Sequence, residues 1–375
     1  MTRYLHERKN WPQFRFSLKR LAVRLAYVQY RQGRLSGRME SLPAPIRARA
    51  ALLTLIDDIG ASAALGGVTL AAAELEAALG RHLGADVPAP SPAPAPAPAP
   101  APADTAVEAA VAMALDAART CAEPLAAARL FAWHAGLFAH AASPPSTVGA
   151  WRPHVRRPMP LSSDPVQRVH IPLPAPARLD REMRGFLAWY NGTSPLDPVL
   201  KAGVAHLWLA ALRPFDDGNG RIVRAITDRL LTGSAPGGER FFSLSAQLYL
   251  ERDAYAATLE TTETGGLDIT PWLAWFLGCL DRALDTAGER LAPVLRTAQF
   301  WGAHAGAAFT PRQRAMLDRL LEGMEGDLTT SRWAGLAGCS QDTALREIDD
   351  LLRRGILAKA PGGGRSTRYV LAGAT

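Results

Sequence analysis

The sequence predicts a mainly α fold that ends in a winged helix-turn-helix, and three observations carry that expectation. Apolar residues recur at helical spacing over most of the chain. Strand signals are scarce, and those present sit mainly near the C-terminus. There the chain reads helix, helix, helix, strand, turn, strand.

The elements follow in order. Residues 1–87 form an N-terminal helical module, in which Leu18, Leu21, Leu25 and Val28 share one face and Ala/Leu-rich helical sequence continues to about residue 84. Residues 88–103 are almost purely Pro and Ala, a polyproline-II spacer that cannot pack a core. Residues 104–292 return to helix as a core domain, interrupted near Pro158–Ser162 and Arg168–Leu173. A connector at 293–308 leads to the winged helix at 309–375. Its three helices are expected over Pro311–Gly323, Thr330–Ala337 and from Gln341 through Leu352, the last capped by Ser340. Two strands follow, around Gly355–Ala360 and Arg365–Leu371.

Composition bounds the function. At 375 residues the chain can bury more than one core. Its net charge is +7, yet residues 1–50 hold twelve Lys or Arg against only Glu7 and Glu40. Such a concentration suits nucleic acid or an acidic protein surface, although the outer face of an amphipathic helix is the commoner cause. Cys121, Cys279 and Cys339 are far apart, without a Cys-x-x-Cys pair. That argues against a zinc site or disulfide framework and for a reducing compartment. Met1–Asn10 has no apolar signal core and no run reaches spanning length. The expected location is the cytoplasm, with no membrane partner.

The chemistry concentrates in Leu212-Arg213-Pro214-Phe215-Asp216-Asp217-Gly218-Asn219-Gly220-Arg221-Ile222-Val223-Arg224. Gly218, Asn219 and Gly220 follow a turn and open a helix whose apolar positions are Ile222, Ile226 and Leu230. Unpaired N–H groups at a helix start, approached closely through glycines and aided by the helix dipole, hold phosphate or another anion. Arg221 and Arg224 project near that end. Asp217 stands where a carboxylate can hold Mg²⁺ bridging phosphate oxygens.

These residues resemble the Fic family signature, His-Pro-Phe-x-Asp/Glu-Gly-Asn-Gly-Arg-x-x-Arg, complete here except for its first residue. Further segments resembling a Fic subclass with an N-terminal helical module and a C-terminal winged helix include Trp11–Phe16, Gln32–Met39, Thr147–Arg152, Leu267–Trp272 and Gly363–Thr367. The resemblance implies a Fic helical domain with a small β-hairpin flap around residues 158–173, which would align a target segment by backbone pairing. It implies transfer of AMP from ATP, with Mg²⁺, to a protein hydroxyl. It also implies a nucleotide site at Gly218, Asn219, Gly220, Arg221 and Arg224, with Tyr255 as a possible further contact.

Two departures from the family pattern matter. In active members the motif histidine takes the proton from the attacking hydroxyl, and here Arg213 stands in its place. A guanidinium stays protonated and has no lone pair to accept that proton. Arg213 is instead free to add positive charge beside the phosphates. Relatives also carry a Ser/Thr-x-x-x-Glu-Gly/Asn helix whose glutamate pairs with the second motif arginine and obstructs ATP. Within Asp58–Gly67 that pattern places Ala61 at the hydroxyl, Leu65 at the glutamate and Gly66 at the last position, so Arg224 is expected to lack its inhibitory partner. His170 and His206 are the nearest histidines, and His206 on an apolar helix reads as core rather than as a substitute base. Trp272 and Trp275 also read as core.

The expected function is that of a degenerate Fic protein that binds nucleotide, or a partner such as an active Fic paralogue, in a homodimer or heterodimer. An active AMP transferase and a DNA-binding regulator are the alternatives. For DNA, Gln341 and Arg346 would meet base edges and Arg365 a groove or phosphate. Residues 310–375 carry ten basic and eight acidic residues. Asp342, Glu347, Asp349 and Asp350 on the third helix equally suit dimerisation or domain packing.

Overall fold

The computed structural model describes residues 4–83, 105–139, 141, 143–154, 173–321, 323–324, 326–360 and 367–372. Within them lie fourteen α-helices and one two-stranded antiparallel sheet. The Pro-Ala segment, the expected flap apart from Leu173, and His170 and Arg365 lie outside the described residues. The chain forms two compact units, the boundary falling between Glu289 and Arg290.

In the first unit, α1 (Leu18–Glu40) starts at Ser17, whose side chain accepts from the Arg20 N–H. Its inner face is Leu21, Val28, Gln32, Leu35 and Met39. Leu18 was expected on that face but is 57% exposed, because it sits in the first turn before the face begins. Helices α2 (Ala44–Leu65), α3 (Ala72–Leu83) and α4 (Thr105–Arg119) share a core of Leu52, Ile56, Leu75, Leu79 and Val111. Next come α5 (Ala127–Phe138) and α6 (Pro176–Asn191). At the centre is α7 (Pro198–Leu212), apolar on all sides and buried from Ala202 to Leu212. It packs closely on α8 (Asn219–Gly233), and α9 (Leu244–Leu250) packs on α2.

After α10 (Arg252–Glu263) the chain enters α11 (Thr270–Ala303). The connector expected at 293–308 is therefore helical as far as Ala303. Pro293 lies inside the helix, where it removes one backbone donor without ending it. Two segments quoted for the family resemblance meet at the start of α11. Arg15 N–H donates to Leu267 O (2.8 Å) and Ile269 N–H donates to Arg15 O (2.9 Å). Trp272 is fully buried and donates to Gly203 O (2.8 Å), and its neighbour Trp275 stacks on Tyr255.

The second unit contains α12 (Pro311–Leu321), α13 (Thr330–Ala337), α14 (Gln341–Arg353), β1 (Leu357–Lys359) and β2 (Tyr369–Leu371). Leu357 pairs with Leu371 and Lys359 with Tyr369. Trp333, Leu317, Ile348 and Leu351 fill its core. Buried Glu347 accepts from Trp333 Nε1 (2.9 Å) and Arg312 Nε (2.9 Å), which assigns that acidic residue to packing inside the unit. Ser340 caps α14 by accepting from Thr343 N–H.

Candidate functional site

The glycine loop does open a helix, and its shape is fixed from several directions. Gly218 has φ +73°, and a Cβ there would approach Phe138 Cε2 to 2.9 Å, so both backbone and space require glycine. A Cβ on Gly220 would meet Arg224 Nη1 at 3.0 Å. Asn219 staples the turn: its Nδ2 donates to Phe215 O (2.8 Å) and its Oδ1 accepts from Phe215 N–H (2.9 Å). Asn219 thereby shapes the loop with both side-chain polar atoms. The exposed Asp217 accepts from Gly218 N–H (2.6 Å). The first N–H groups of α8 have no intrahelical acceptor, an arrangement at which a helix start can take an anion.

A strap from residues 146–152 holds this loop, explaining why Thr147–Arg152 belongs with the motif. Ser146 Oγ and Thr147 N–H donate to Asp216 Oδ2 (2.6 and 3.1 Å). Buried Arg152 donates from its backbone to Pro214 O and from Nε to Arg213 O (2.9 and 2.8 Å). Burial lowers its guanidinium to about 10. His134, which the sequence reading passed over, completes the support. It stacks on Phe215, accepts from Gly149 N–H at Nδ1 (3.0 Å) and so carries its proton on Nε2, facing Asp217 O (3.2 Å). Burial lowers its pKa, consistent with a neutral ring. Only its place on an apolar helix was visible in the sequence.

Arg213, expected to be free to add charge beside the phosphates, is paired with a carboxyl. It caps α7 in the left-handed region, φ 40° and ψ 66°, and its Nη2 donates to Glu263 Oε2 at 3.0 Å. The Glu263 side chain is 2% exposed. Burial raises its pKa, and the adjacent Arg213 offsets only part of that rise. The residue at the expected base position is thus committed to a buried carboxyl at the end of α10.

The two remaining motif arginines differ. Arg224 is buried and held by one residue of α2: its Nε donates to Ser62 Oγ (2.8 Å) and its Nη2 to Ser62 O (2.7 Å). Ser62, one position beyond Ala61, is the residue of the expected inhibitory segment that presents a hydroxyl to Arg224, and Gly66 stands four residues after it. Arg224 thus contacts α2 through a hydroxyl and a carbonyl. Arg221 lies over the Phe138 ring at 5.1 Å, and a Cβ on Gly66 would lie 3.8 Å from its Nε. Burial lowers the Arg221 pKa, opposed by nearby Asp217.

Tyr255 is not available as a nucleotide contact. It is 4% exposed, and its hydroxyl meets His206 Nε2 at 2.8 Å. His206 Nδ1 meets Thr227 Oγ1 at 2.9 Å. Burial drives His206 down to about 3 and Tyr255 up to about 12. His206 is a packed core residue.

Gln341 and Arg346 are exposed on α14, as are Asp342 and Asp349 between and beyond them. Among the described residues no group of three or more His, Cys, Asp or Glu is arranged to hold a metal. A lone carboxylate such as Asp217 suits Mg²⁺ that draws its other ligands from phosphates and water. No helix among those residues is long and apolar enough to cross a membrane, and the three cysteines are free thiols.

Comparison with known proteins agrees with this arrangement. Residues 124–231 match the Fic/DOC family, residues 4–85 a domain of unknown function, and residues 317–372 the C-terminal domain of a DIP2311-like transcriptional regulator. A protein adenylyltransferase Fic from Nematostella vectensis is 31% identical over 143 residues, covering 36% of this chain and 31% of that protein. One from Drosophila melanogaster is 34% identical over 118 residues, covering 31% and 22%. The matches thus span less than a third of these relatives' length. In fold, the chain is similar to a Fic family protein from Desulfovibrio desulfuricans, with TM-score 0.57, 18% identity and coverage of 95% of this chain and 97% of that one. It is also similar to a Fic domain containing signaling protein from Bacteroides thetaiotaomicron, with TM-score 0.52, 16% identity and coverage of 76% and 100%. A glycine loop opening a helix, its two arginines and the matching family model together identify the domain that carries this site: the chain contains a Fic/DOC family domain.

Proposed function

We infer that this protein is a degenerate Fic protein that binds a nucleotide without transferring AMP and acts by regulating a partner, the favoured partner being an active Fic paralogue. The observation that carries this reading is the Arg213–Glu263 pair at the position of the family's base. A guanidinium bound to a buried carboxyl neither accepts the hydroxyl proton nor turns toward the phosphates. Loss of general-base assistance alone lowers rate by about a hundred- to ten-thousand-fold. The phosphate-binding features are kept: the open helix start, the required Gly218, Arg221 and the exposed Asp217.

With ATP and Mg²⁺ bound, the metal would neutralise charge on the phosphates. Gly218, Asn219 and Gly220 would present the helix start, Arg221 would add positive charge and Asp217 would hold the metal. Arg224 would first have to leave Ser62. The test is calorimetry of ATP binding to the intact chain and to Arg221→Ala, with and without Mg²⁺, alongside an assay for transfer of labelled AMP. Binding lost in Arg221→Ala, with no transfer in either protein, is the expected result.

The match of residues 317–372 to a transcriptional regulator favours DNA binding as a second reading for the winged helix. Asp342 and Asp349 stand on the exposed face beside Gln341 and Arg346 and would repel phosphates. This reading requires binding to duplex DNA that weakens in Arg346→Ala.

A further inference from the structure

Helix α14 carries an outer face that the packing of its own unit leaves unused. Ala344, Ile348 and Leu351 turn inward, while Gln341, Asp342, Leu345, Arg346, Asp349 and Arg353 turn outward. The outward residues recur at steps of three and four and so form one stripe along the helix. Leu345 and half-buried Leu352 run along one edge of it and Arg346 and Arg353 along the other, with Asp342 and Asp349 between them. Leu345 is 43% exposed and the Arg353 side chain 78%.

The charges of this stripe are largely uncommitted. The helix's other two acidic residues are held inside the unit: Glu347 by Trp333 and Arg312, and Asp350 by Gln313 Nε2 (3.1 Å) and Arg354 Nη1 (3.1 Å). Asp342, Arg346 and Asp349 make no ion pair among the described residues, and Arg353 approaches only Asp350, at 3.6 Å. Along the helix the signs alternate as acid, base, acid, base. A uniformly acidic or basic surface would be repelled by half of this face. Another alternating face matches it.

We propose that this face is a contact between two copies of the chain, in which the α14 helices lie antiparallel about a two-fold axis passing between Glu347 and Ile348. Asp342 and Arg353 stand equally far on either side of that point, and so do Arg346 and Asp349. A two-fold axis makes every contact twice. Asp342 therefore meets Arg353 of the second copy, Arg346 meets Asp349 of the second copy, and both pairs recur with the roles exchanged. On the apolar edge, Leu345 of one copy comes nearly level with Leu352 of the other. A parallel arrangement would instead set like charges against each other. The helix is about 20 Å long, so the contact is small and of the transient class, below about 1,200 Å² in total. It requires neither nucleotide binding nor transfer, and it covers the face that DNA binding would use.

The test is sedimentation equilibrium of the full chain without nucleotide or DNA. The intact chain should pass reversibly from one copy to two as its concentration rises through the micromolar range. Asp342→Arg with Asp349→Arg makes the charges of the stripe wholly basic, and Arg346→Asp with Arg353→Asp makes them wholly acidic. Each double variant alone should associate at least about tenfold more weakly than the intact chain, because every cross-chain pair becomes repulsive. An equimolar mixture of the two should recover the dimer, which also shows that both are folded. Should either lose helicity by circular dichroism, Asp349→Arg alone and Asp349→Arg combined with Arg346→Asp take their place, the first weakening the dimer and the exchange restoring it. An intact chain that stays single throughout, association undiminished by the reversals, or no recovery on mixing or exchange would each overturn the proposal. So would duplex DNA bound by a single copy and lost in the acidic variant, which would give the face to nucleic acid.

Discussion

Arg213 and Glu263 stand fifty positions apart and meet in a buried ion pair, on which the proposed function rests. Truncating one partner of such a pair leaves the other charge unsatisfied, at a cost of about 3–5 kcal/mol. Glu263→Ala should therefore lower the free energy of unfolding by that amount in urea titrations, whereas Arg213→Met combined with Glu263→Leu should cost far less. His206 gives a prediction in pH. Its folded pKa, about 3, lies below the ordinary 6.5. Its neutral form therefore contributes stability that is present above pH 6.5 and lost as pH falls toward the folded value, because only the unfolded chain takes up the proton there. Between pH 7 and pH 5 this residue should account for a loss of about 2 kcal/mol, and His206→Gln should remove that part of the pH dependence. The family resemblance singled out Arg213 as standing at the expected base position, and local pattern marked His206 as core. It could not show where Arg213 points, because Glu263 has no sequence relation to it. Tyr255 was misread for the same reason: its hydroxyl partner, His206, lies on another helix.

At the scale of elements, the start of α8 was legible because glycines, an asparagine and a helical apolar pattern leave little choice of local conformation. Gly218→Ala should destabilise the fold by about 1–3 kcal/mol from backbone strain, with a further cost from displacing Phe138. A shift in thermal midpoint measures it. The register of the inhibitory segment on α2 was less legible. Ser62 is the one hydroxyl residue along Ala61–Gly67, and its contacts with Arg224 show which side of the segment faces the motif. A carboxylate introduced four residues after Ser62 should oppose nucleotide. Gly66→Glu should weaken ATP binding by about tenfold or more, the effect of one new charged contact of roughly 1.4 kcal/mol, and Leu65→Glu should do so much less. Equal weakening by the two variants would contradict a pattern that starts at Ser62.

For the whole molecule, each unit has its own core, and the winged-helix unit depends on Trp333, which is fully buried and bonded to Glu347. Trp333→Ala should cost that unit about 3–5 kcal/mol and separate its calorimetric transition from that of the first unit. A single unchanged transition would show that the cores do not unfold independently. The mainly α architecture and the order of the winged helix were legible because spacing and caps are local. The continuation of α11 through Pro293 was not, because the surrounding helix outweighs one lost backbone bond. The central claim is that the Fic/DOC domain retains phosphate recognition after losing its base. The most direct measurement is transfer of labelled AMP by the intact chain and by Asp217→Ala, with ATP binding by calorimetry on the same samples. ATP binding without transfer is the predicted result. Transfer by the intact chain that disappears in Asp217→Ala would contradict the account and require another base in place of Arg213.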